Sequence, residues 1–519
     1  MKLFSYRNRP VHLGPYPLER LKRTSTCPDV SPLAPMRTLD FHDKPSDSIS
    51  HALARFIGMF DVIRDGATAA LPSEVPHDPA ERARHLKAAA YYFDATMVAT
   101  CKLGAPSRLA TPIYNPKIAE LAAELETSQP ASFAAGIDMI LADVLESART
   151  VHQPIDHHTD ALVIMIEYQR EPAPDEPGCD WIQGTQAQRA ATLAAQTAVL
   201  LATYLRMLGY AARSHTATCS DVDLHRLAVV SGLATIAHIE GAPQAVNPYC
   251  GSRFALAAVT TTLELAADLP LATRRWSDRL RSHGPAWWVG AGTGRGALNR
   301  DPYRRREFRM GPLPFETIKR RDEPTTFIDH DRVPRFPKRA DFFARILFGD
   351  MGRKIQDEAK NAHYVMKSPI GACARRALGA LLLLQFGEAR GPATPSTNDP
   401  ERNANNLKAT SYYLGCDAVG LCAVPSWAWY SHDAAGRPLA TYHRNALNML
   451  IDQGHETMEG ASGDDWISVA QSMRAYLRFS MIGGVLAEQI RRLGWGARVH
   501  SVIDGDVLQP PLLLLSGLG

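Results

Sequence analysis

The chain says part of itself twice. A repeat constrains folding more than any other single feature, because both copies must form the same elements. Arg206–His215 reads RMLGYAARSH and Arg491–His500 reads RRLGWGARVH, with six of ten positions identical. The register then holds without a gap through Asp221/Asp506, Val222/Val507 and Ser231-Gly232-Leu233/Ser516-Gly517-Leu518. Leu86–Cys101 (LKAAAYYFDATMVATC) matches Leu407–Cys422 (LKATSYYLGCDAVGLC), each behind an Asp-Pro pair, Asp78-Pro79 and Asp399-Pro400. Tyr6–Arg23 (YRNRPVHLGPYPLERLKR) matches Tyr303–Arg320 (YRRREFRMGPLPFETIKR). The three pairs keep one order, and the unit is too long for a solenoid module. A tandem duplication of one domain is expected, with residues 1–286 as the first copy, 287–300 as a Gly-rich linker and 301–519 as the second. The first copy runs on past Leu233 through Asn247–Leu271, whereas the second stops after Leu518, so the second copy is expected to be truncated and the chain a fragment.

Local signals give the fold class. Apolar spacing predicts helices over His51–Arg64, from Asp78 into Tyr91-Tyr92, over Ile137–Ala148, over Thr192–Leu208 and from about Met481 to Leu493. Asp-Pro suits an N-cap followed by the first helical residue. Gly209 and Gly494 stand where C-terminal glycines belong. Strands are expected up to Cys101, over Ala161–Tyr168, Ala211–His215 and Ala497–Ile503, with Pro510-Pro511 opening a further helix or turn and residues 1–50 forming an arm around the first copy. Helix–Gly–strand units indicate an α/β fold of mixed α+β, nitroreductase-like character.

Eight cysteines without a C-x-x-C argue for a reducing compartment and against a disulfide framework or zinc ribbon. The N-terminus has no apolar signal core, and no apolar run reaches the length of a membrane span, so a cytoplasmic protein with no membrane partner is expected. The basic run Arg300–Arg309 with Lys319–Arg321 reads as a solvated face or an inter-copy contact rather than a nucleic-acid footprint. The glycines of Trp287–Arg300 lack the Gly-Lys-Ser/Thr ending of a phosphate loop. His152, His157 and His158 match no zinc spacing, His455-Glu456 lacks a second histidine, and no metal site is expected.

Positions where the copies diverge into chemically capable residues are candidates for function in one copy. Tyr430, in the turn Trp427-Ala428-Trp429-Tyr430-Ser431-His432, has Leu109 as its first-copy partner. A tyrosine delivers a proton when a nearby cation lowers its pKa, and the alternative is a rim of packing aromatics. Arg492 stands opposite Met207 and Arg491 opposite Arg206, so Arg491 reads as the more structural of the two. An arginine in a last helical turn also simply favours the helix dipole. Ser501 and Asp504 diverge from Thr216 and Cys219, while His500 is shared with His215 and reads equally as a core histidine.

Together LGCDAVGLC, the turn ending WYSH, the helix ending IRRLGW and the stretch SVIDGDV to LLLLSGLG resemble the corrinoid-binding domain of reductive dehalogenases. The tandem arrangement and the opening YRNRPVHLGP are similar to the soluble, catabolic branch, in which the first copy has lost the cofactor. The resemblance implies cobalamin as cofactor and removal of halide from a halogenated aromatic of phenol type. It makes Tyr430 the proton donor with Arg492 or Arg491 as its cationic partner. It also implies that Tyr412, Tyr413, Trp427, Trp429, His500, Ser501 and Asp504 line corrinoid or substrate. Two 4Fe-4S clusters are expected in the full-length protein, but their cysteine run is absent here. An electron donor (ferredoxin, flavodoxin or a reductase) is implied as partner. Three other readings stand beside this one: a corrinoid-binding protein without chemistry, an epoxyqueuosine-reductase-like corrinoid reductase, and a flavin-binding nitroreductase-like pair.

Overall fold

The computed structural model describes residues 10–41, 47–127, 137–150, 153–272, 321, 324–361, 363–366, 368–453, 466–501 and 504–519. The Gly-rich linker 287–300, the repeat segment Tyr303–Arg320, His152 and His455-Glu456 lie outside the described residues.

In chain order the first half carries α1 (Ser50–Val62), α2 (Pro79–Tyr92), β1 (Met97–Lys102), β2 (Arg108–Ile113), α3 (Lys117–Thr127), α4 (Ile137–Arg149) and β3 (Asp160–Glu167). It continues with α5 (Cys179–Ile182), α6 (Gln186–Met207), β4 (Ala212–His215), β5 (Ser220–Val222), α7 (Leu224–Val230), β6 (Thr235–Ile239), β7 (Ala242–Val246) and β8 (Phe254–Thr261). The second half carries α8 (Phe342–Leu347), α9 (Arg353–Lys360), α10 (Ala374–Leu382), α11 (Pro400–Leu414), β9 (Ala418–Ala423), β10 (Asn445–Leu450), α12 (Trp466–Arg492) and α13 (Gln509–Leu515).

Short-range chemistry sets the helix ends. The Asp78 carboxylate accepts from Ala80 N, and that of Asp399 accepts from Glu401 N and Arg402 N, each beside a proline at the first helical position. Gly209 and Gly494 follow α6 and α12 at φ 85° and 89°. At Gly494 a Cβ would stand 2.3 Å from the Pro392 carbonyl oxygen, so both the left-handed turn and the close approach need glycine.

Two expectations are corrected. The sheet is ordered β1-β3-β8-β4 and every pairing in it is antiparallel, so the architecture is mixed α+β without the parallel strands of an α/β fold. The strand expected over Ala497–Ile503 is absent among the described residues, where 497–501 form no ladder. β4 is a strand because β8 pairs with it, and among the described residues no strand lies beside 497–501. Both long helices also begin earlier than expected, at Gln186 and Trp466.

The same hydrogen bonds recur at the two repeated segments. Arg206 donates to the Arg64 and Ala212 carbonyls (3.3 and 2.8 Å), and Arg491 donates to those of Gln385 and Ala497 (3.4 and 3.0 Å). His215 Nδ1 accepts from Asp221 N at 3.2 Å, and His500 Nδ1 from Asp506 N at 3.0 Å. Arg108 bridges Val222, and Trp429 bridges Val507. β1 pairs with β3 from Met97↔Met165, and β9 with β10 from Ala418↔Leu450.

One large core runs through both halves, from α1, α2 and α6 to α10, α11 and α12. Phe56 of α1, fully buried, lies so close to α12 that a Cβ at Gly484 would meet its ring at 2.3 Å. Burying such a ring contributes about 2–3 kcal/mol. The other face of the sheet packs on α7 and on Tyr16, Leu18, Leu21, Val30, Leu33 and Met36 of the N-terminal arm. A third, small cluster holds Trp427, Ala428, Trp429, Val507 and Leu512.

One buried charge gives a pH prediction. Asp61 is fully buried and accepts from Asn115, Thr216 and Thr218. Burial raises its pKa from 3.8 to about 6, against the opposing effect of those hydrogen bonds. Because the folded pKa lies above the unfolded one, stability from this group is full below pH 3.8 and is lost as pH rises through about 6. Comparing urea unfolding of wild type and Asp61→Asn from pH 4 to 8, the wild type loses on the order of 2–3 kcal/mol more over that window. Parallel pH profiles would remove Asp61 as the source.

Candidate functional site: the aromatic turn after β9

β9 delivers the chain into a short 3-10 turn over Ser426–Ala428, and Trp429 and Tyr430 leave it extended. Two segments hold this turn. On one side Tyr430 N donates to the Asp506 carbonyl at 2.9 Å and Leu508 N donates to that of Ala428 at 2.8 Å. On the other runs the strap 335–341. The Arg335 guanidinium donates to the carbonyls of Trp429 (3.3 Å), Tyr430 (2.6 Å) and Leu439 (2.7 Å). Ser431 N donates to the Phe336 carbonyl, and Lys338 N to that of His432. One planar fork taking three carbonyls fixes the path of the turn more firmly than three separate contacts.

The Tyr430 phenol is buried and donates to Asp341 Oδ2 at 3.1 Å. Asp341 also caps α8 by accepting from Phe343 N. The Lys338 ammonium stands 5.9 Å from the centre of the Tyr430 ring and bonds the Gly505 carbonyl and Asp504. Burial, then the Asp341 charge and hydrogen bond, raise the phenol's pKa. That is opposite to the lowering a cationic partner would give, and it keeps the phenol protonated at neutral pH.

Behind the turn, Trp429 packs edge-on against Tyr442 (4.5 Å between centroids) and His500 (5.8 Å). Arg498 pairs with Asp504 at 2.7 Å and with Asp506, and donates to the Tyr442 hydroxyl. His500 accepts at Nδ1, which places its proton on Nε2, and burial followed by the Arg498 charge lowers its pKa to about 3. Ser501 N donates to the Asp504 carbonyl and its hydroxyl to Gln385 Oε1. Trp427 Nε1 donates to His330. Trp429 is 1% exposed, and its indole N–H is buried without an acceptor among the described residues.

The structure thus brings together Trp427, Trp429, Tyr430, His500, Ser501 and Asp504. Tyr412 and Tyr413 lie instead in the large core, where the Tyr413 hydroxyl meets Thr185 and its carbonyl accepts from Arg189. Arg491 is buried on the Leu384, Gln385 and Ala497 carbonyls and Glu488. Arg492 lines a cleft with Arg55, Lys117 and Arg390. Neither arginine is among the contacts of the phenol. Sequence reasoning missed Arg335, Lys338, Asp341, Tyr442, Arg498 and Asp506. Arg498 and Asp506 are shared with Arg213 and Asp221, so a search for divergence passes them over. The Pro-flanked basic run RFPKRAD, ending on Asp341, was the available signal for the strap.

No protein-family profile and no curated protein matches the chain. Solved structures do. Catabolic reductive dehalogenase NpRdhA matches over 100% of this chain and 67% of its own, at 37% identity and a TM-score of 0.80. The chain belongs to the reductive dehalogenase family. A second NpRdhA structure holds 3-bromo-4-hydroxybenzoic acid and matches equally well, at 37% identity, TM-score 0.80 and the same coverage. A further reductive dehalogenase structure, said to suggest a mechanism for B12-dependent dehalogenation, matches at 37% identity and a TM-score of 0.79, again over 100% of this chain and 67% of its own. In this member of the family no helix among the described residues is long and apolar enough to cross a membrane.

Asp341→Asn separates charge from capping, since asparagine still caps α8. Removing the neighbouring charge is expected to lower the Tyr430 pKa by roughly one unit or more. The difference in tyrosinate absorbance against Tyr430→Phe measures it, and an unmoved titration would show that the carboxylate does not control the phenol.

Proposed function

We propose that the chain performs corrinoid-dependent reductive dehalogenation of a halogenated phenol, with Tyr430 as proton donor. The observation that carries this is the buried phenol, fixed on Asp341 and kept protonated, in a turn held on both sides. Kinship with NpRdhA, which binds 3-bromo-4-hydroxybenzoic acid, supports the phenol class.

The residues present suit a corrinoid in one testable respect. A buried indole N–H without an acceptor costs about 1–3 kcal/mol. An amide carbonyl on a corrinoid rim would offset that cost at Trp429 Nε1. Ser501, Asp504 and the neutral His500 are the neighbouring groups that would hold such a polar edge, with Trp427 as apolar wall. When bound, the corrinoid supplies reducing electrons at cobalt. Replacing carbon–halogen by carbon–hydrogen takes two electrons and one proton and releases halide. Tyr430 Oη holds that proton, Asp341 orients it, and Lys338 is a cation over the ring, 5.9 Å from its centre. The two electrons would come from an outside donor of ferredoxin or flavodoxin type; the 4Fe-4S clusters expected of the full-length protein have no cysteine run in this sequence.

We also infer that 1–286 and 301–519 are copies of one domain and that the first has lost its site. The recurring hydrogen bonds of Arg206/Arg491 and His215/His500 support this. So does Cys219, which stands at the place of Asp504 and is occupied by an Arg64 N–H at 2.6 Å.

Protein reconstituted with hydroxocobalamin tests both parts. Tyr430→Phe is expected to keep the corrinoid absorbance and lose halide release by about a hundredfold. An unchanged rate removes Tyr430 as the acid, and no corrinoid uptake by the wild type removes the cofactor reading.

A further inference from the structure

Where α12 ends against α1 and α3, cations outnumber carboxylates. Arg492 lines a polar cleft of about 340 Å³ together with Arg55, Lys117 and Arg390. The carboxylates beside it are already engaged. Glu488, 2% exposed, pairs with Arg390 at 2.5 Å, Arg491 at 3.1 Å and Arg55 at 4.0 Å. Glu124 pairs with Arg55 at 2.5 Å, and Glu120 with Lys117 at 2.7 Å. Among the described residues five cations (Arg55, Lys117, Arg390, Arg491, Arg492) therefore share three carboxylates, which leaves two positive charges in excess.

Arg492 is the cation left over. Its side chain has no hydrogen bond or ion pair among the described residues, and its Nε is buried. Burial, then the Arg390 charge, lowers its pKa, as expected of a cation lacking a counter-ion. Like charges gathered in a half-buried cleft repel one another unless an anion enters. Guanidinium forks match phosphate oxygens two at a time, and a phosphate dianion matches the excess. We propose that this cleft binds a phosphate-bearing anion, held by Arg492 and Arg390 from the second half and by Arg55 and Lys117 from the first. The site shares no residue with the aromatic turn, so it stands or falls independently of the dehalogenation reading. An anion there ties the two halves together through residues of both.

Thermal unfolding of the whole chain with increasing inorganic phosphate, at fixed pH and with sodium chloride holding ionic strength constant, tests this. The midpoint is expected to rise saturably, because a ligand of the native state stabilises it by mass action. Arg492→Ala should weaken the apparent phosphate affinity by about tenfold or more, and Arg492→Lys should restore part of it. Phenyl phosphate as a second probe distinguishes the sources: tighter binding than inorganic phosphate indicates a larger phosphorylated molecule, and equal binding indicates the free ion. Chloride raising the midpoint as much as phosphate would overturn the proposal. So would Arg492→Ala, folded by circular dichroism, titrating like wild type; should alanine fail to fold, Arg492→Gln titrating like wild type overturns it equally.

Discussion

A buried guanidinium at the end of a helix is the interaction on which the second half depends. Arg491 is 2% exposed, yet its fork reaches the carbonyls of Leu384, Gln385 and Ala497 and the carboxylate of Glu488. Burying a charge is costly unless its hydrogen bonds are all made, and helix-end carbonyls are costly when left dry. Each problem solves the other here. From that point hydrogen bonds joined by short stretches of chain lead to the backbone of Tyr430. Val499 N donates to Gln385, His500 receives Asp506 N, and the Asp506 carbonyl receives Tyr430 N. The aromatic turn is therefore anchored by a residue that never touches it.

The turn is also built so that charge, rather than packing alone, sets its geometry. Lys338 and Arg498 pair with Asp504 and Asp506, Asp341 takes the phenol, and Arg335 takes the turn's carbonyls. Opposite charges in a partly dry setting attract more strongly than at a surface, and they fix orientation as much as they stabilise. The neutral His500 between them adds no third sign to the balance.

Much of the fold was legible in the sequence. Asp78 and Asp399 announced helix starts, Gly209 and Gly494 helix ends, and the dense apolar run over Ala161–Tyr168 a buried strand, because each is decided by local chemistry. Strand pairing was not legible. Whether 497–501 becomes a strand depends on a partner far away in sequence, and the same composition that pairs at β4 stays unpaired there. Around the aromatic turn, comparing the repeated segments pointed to Tyr430, Ser501 and Asp504 and passed over Arg498 and Asp506. Shared residues can serve the scaffold in one half and the chemistry in the other.

The pair β9–β10 carries a consequence for handling the chain. In the first half β3 is flanked on both sides, by β1 and β8. β10 pairs with β9 alone among the described residues, so its outer row of amides and carbonyls is left without a strand. An open edge of this kind is a template for another chain. β10 (Asn445–Leu450) carries no lysine, no proline and no charge to discourage such pairing. Among the described residues strand addition at that edge is the expected route of self-association, and a single lysine on it would oppose that route.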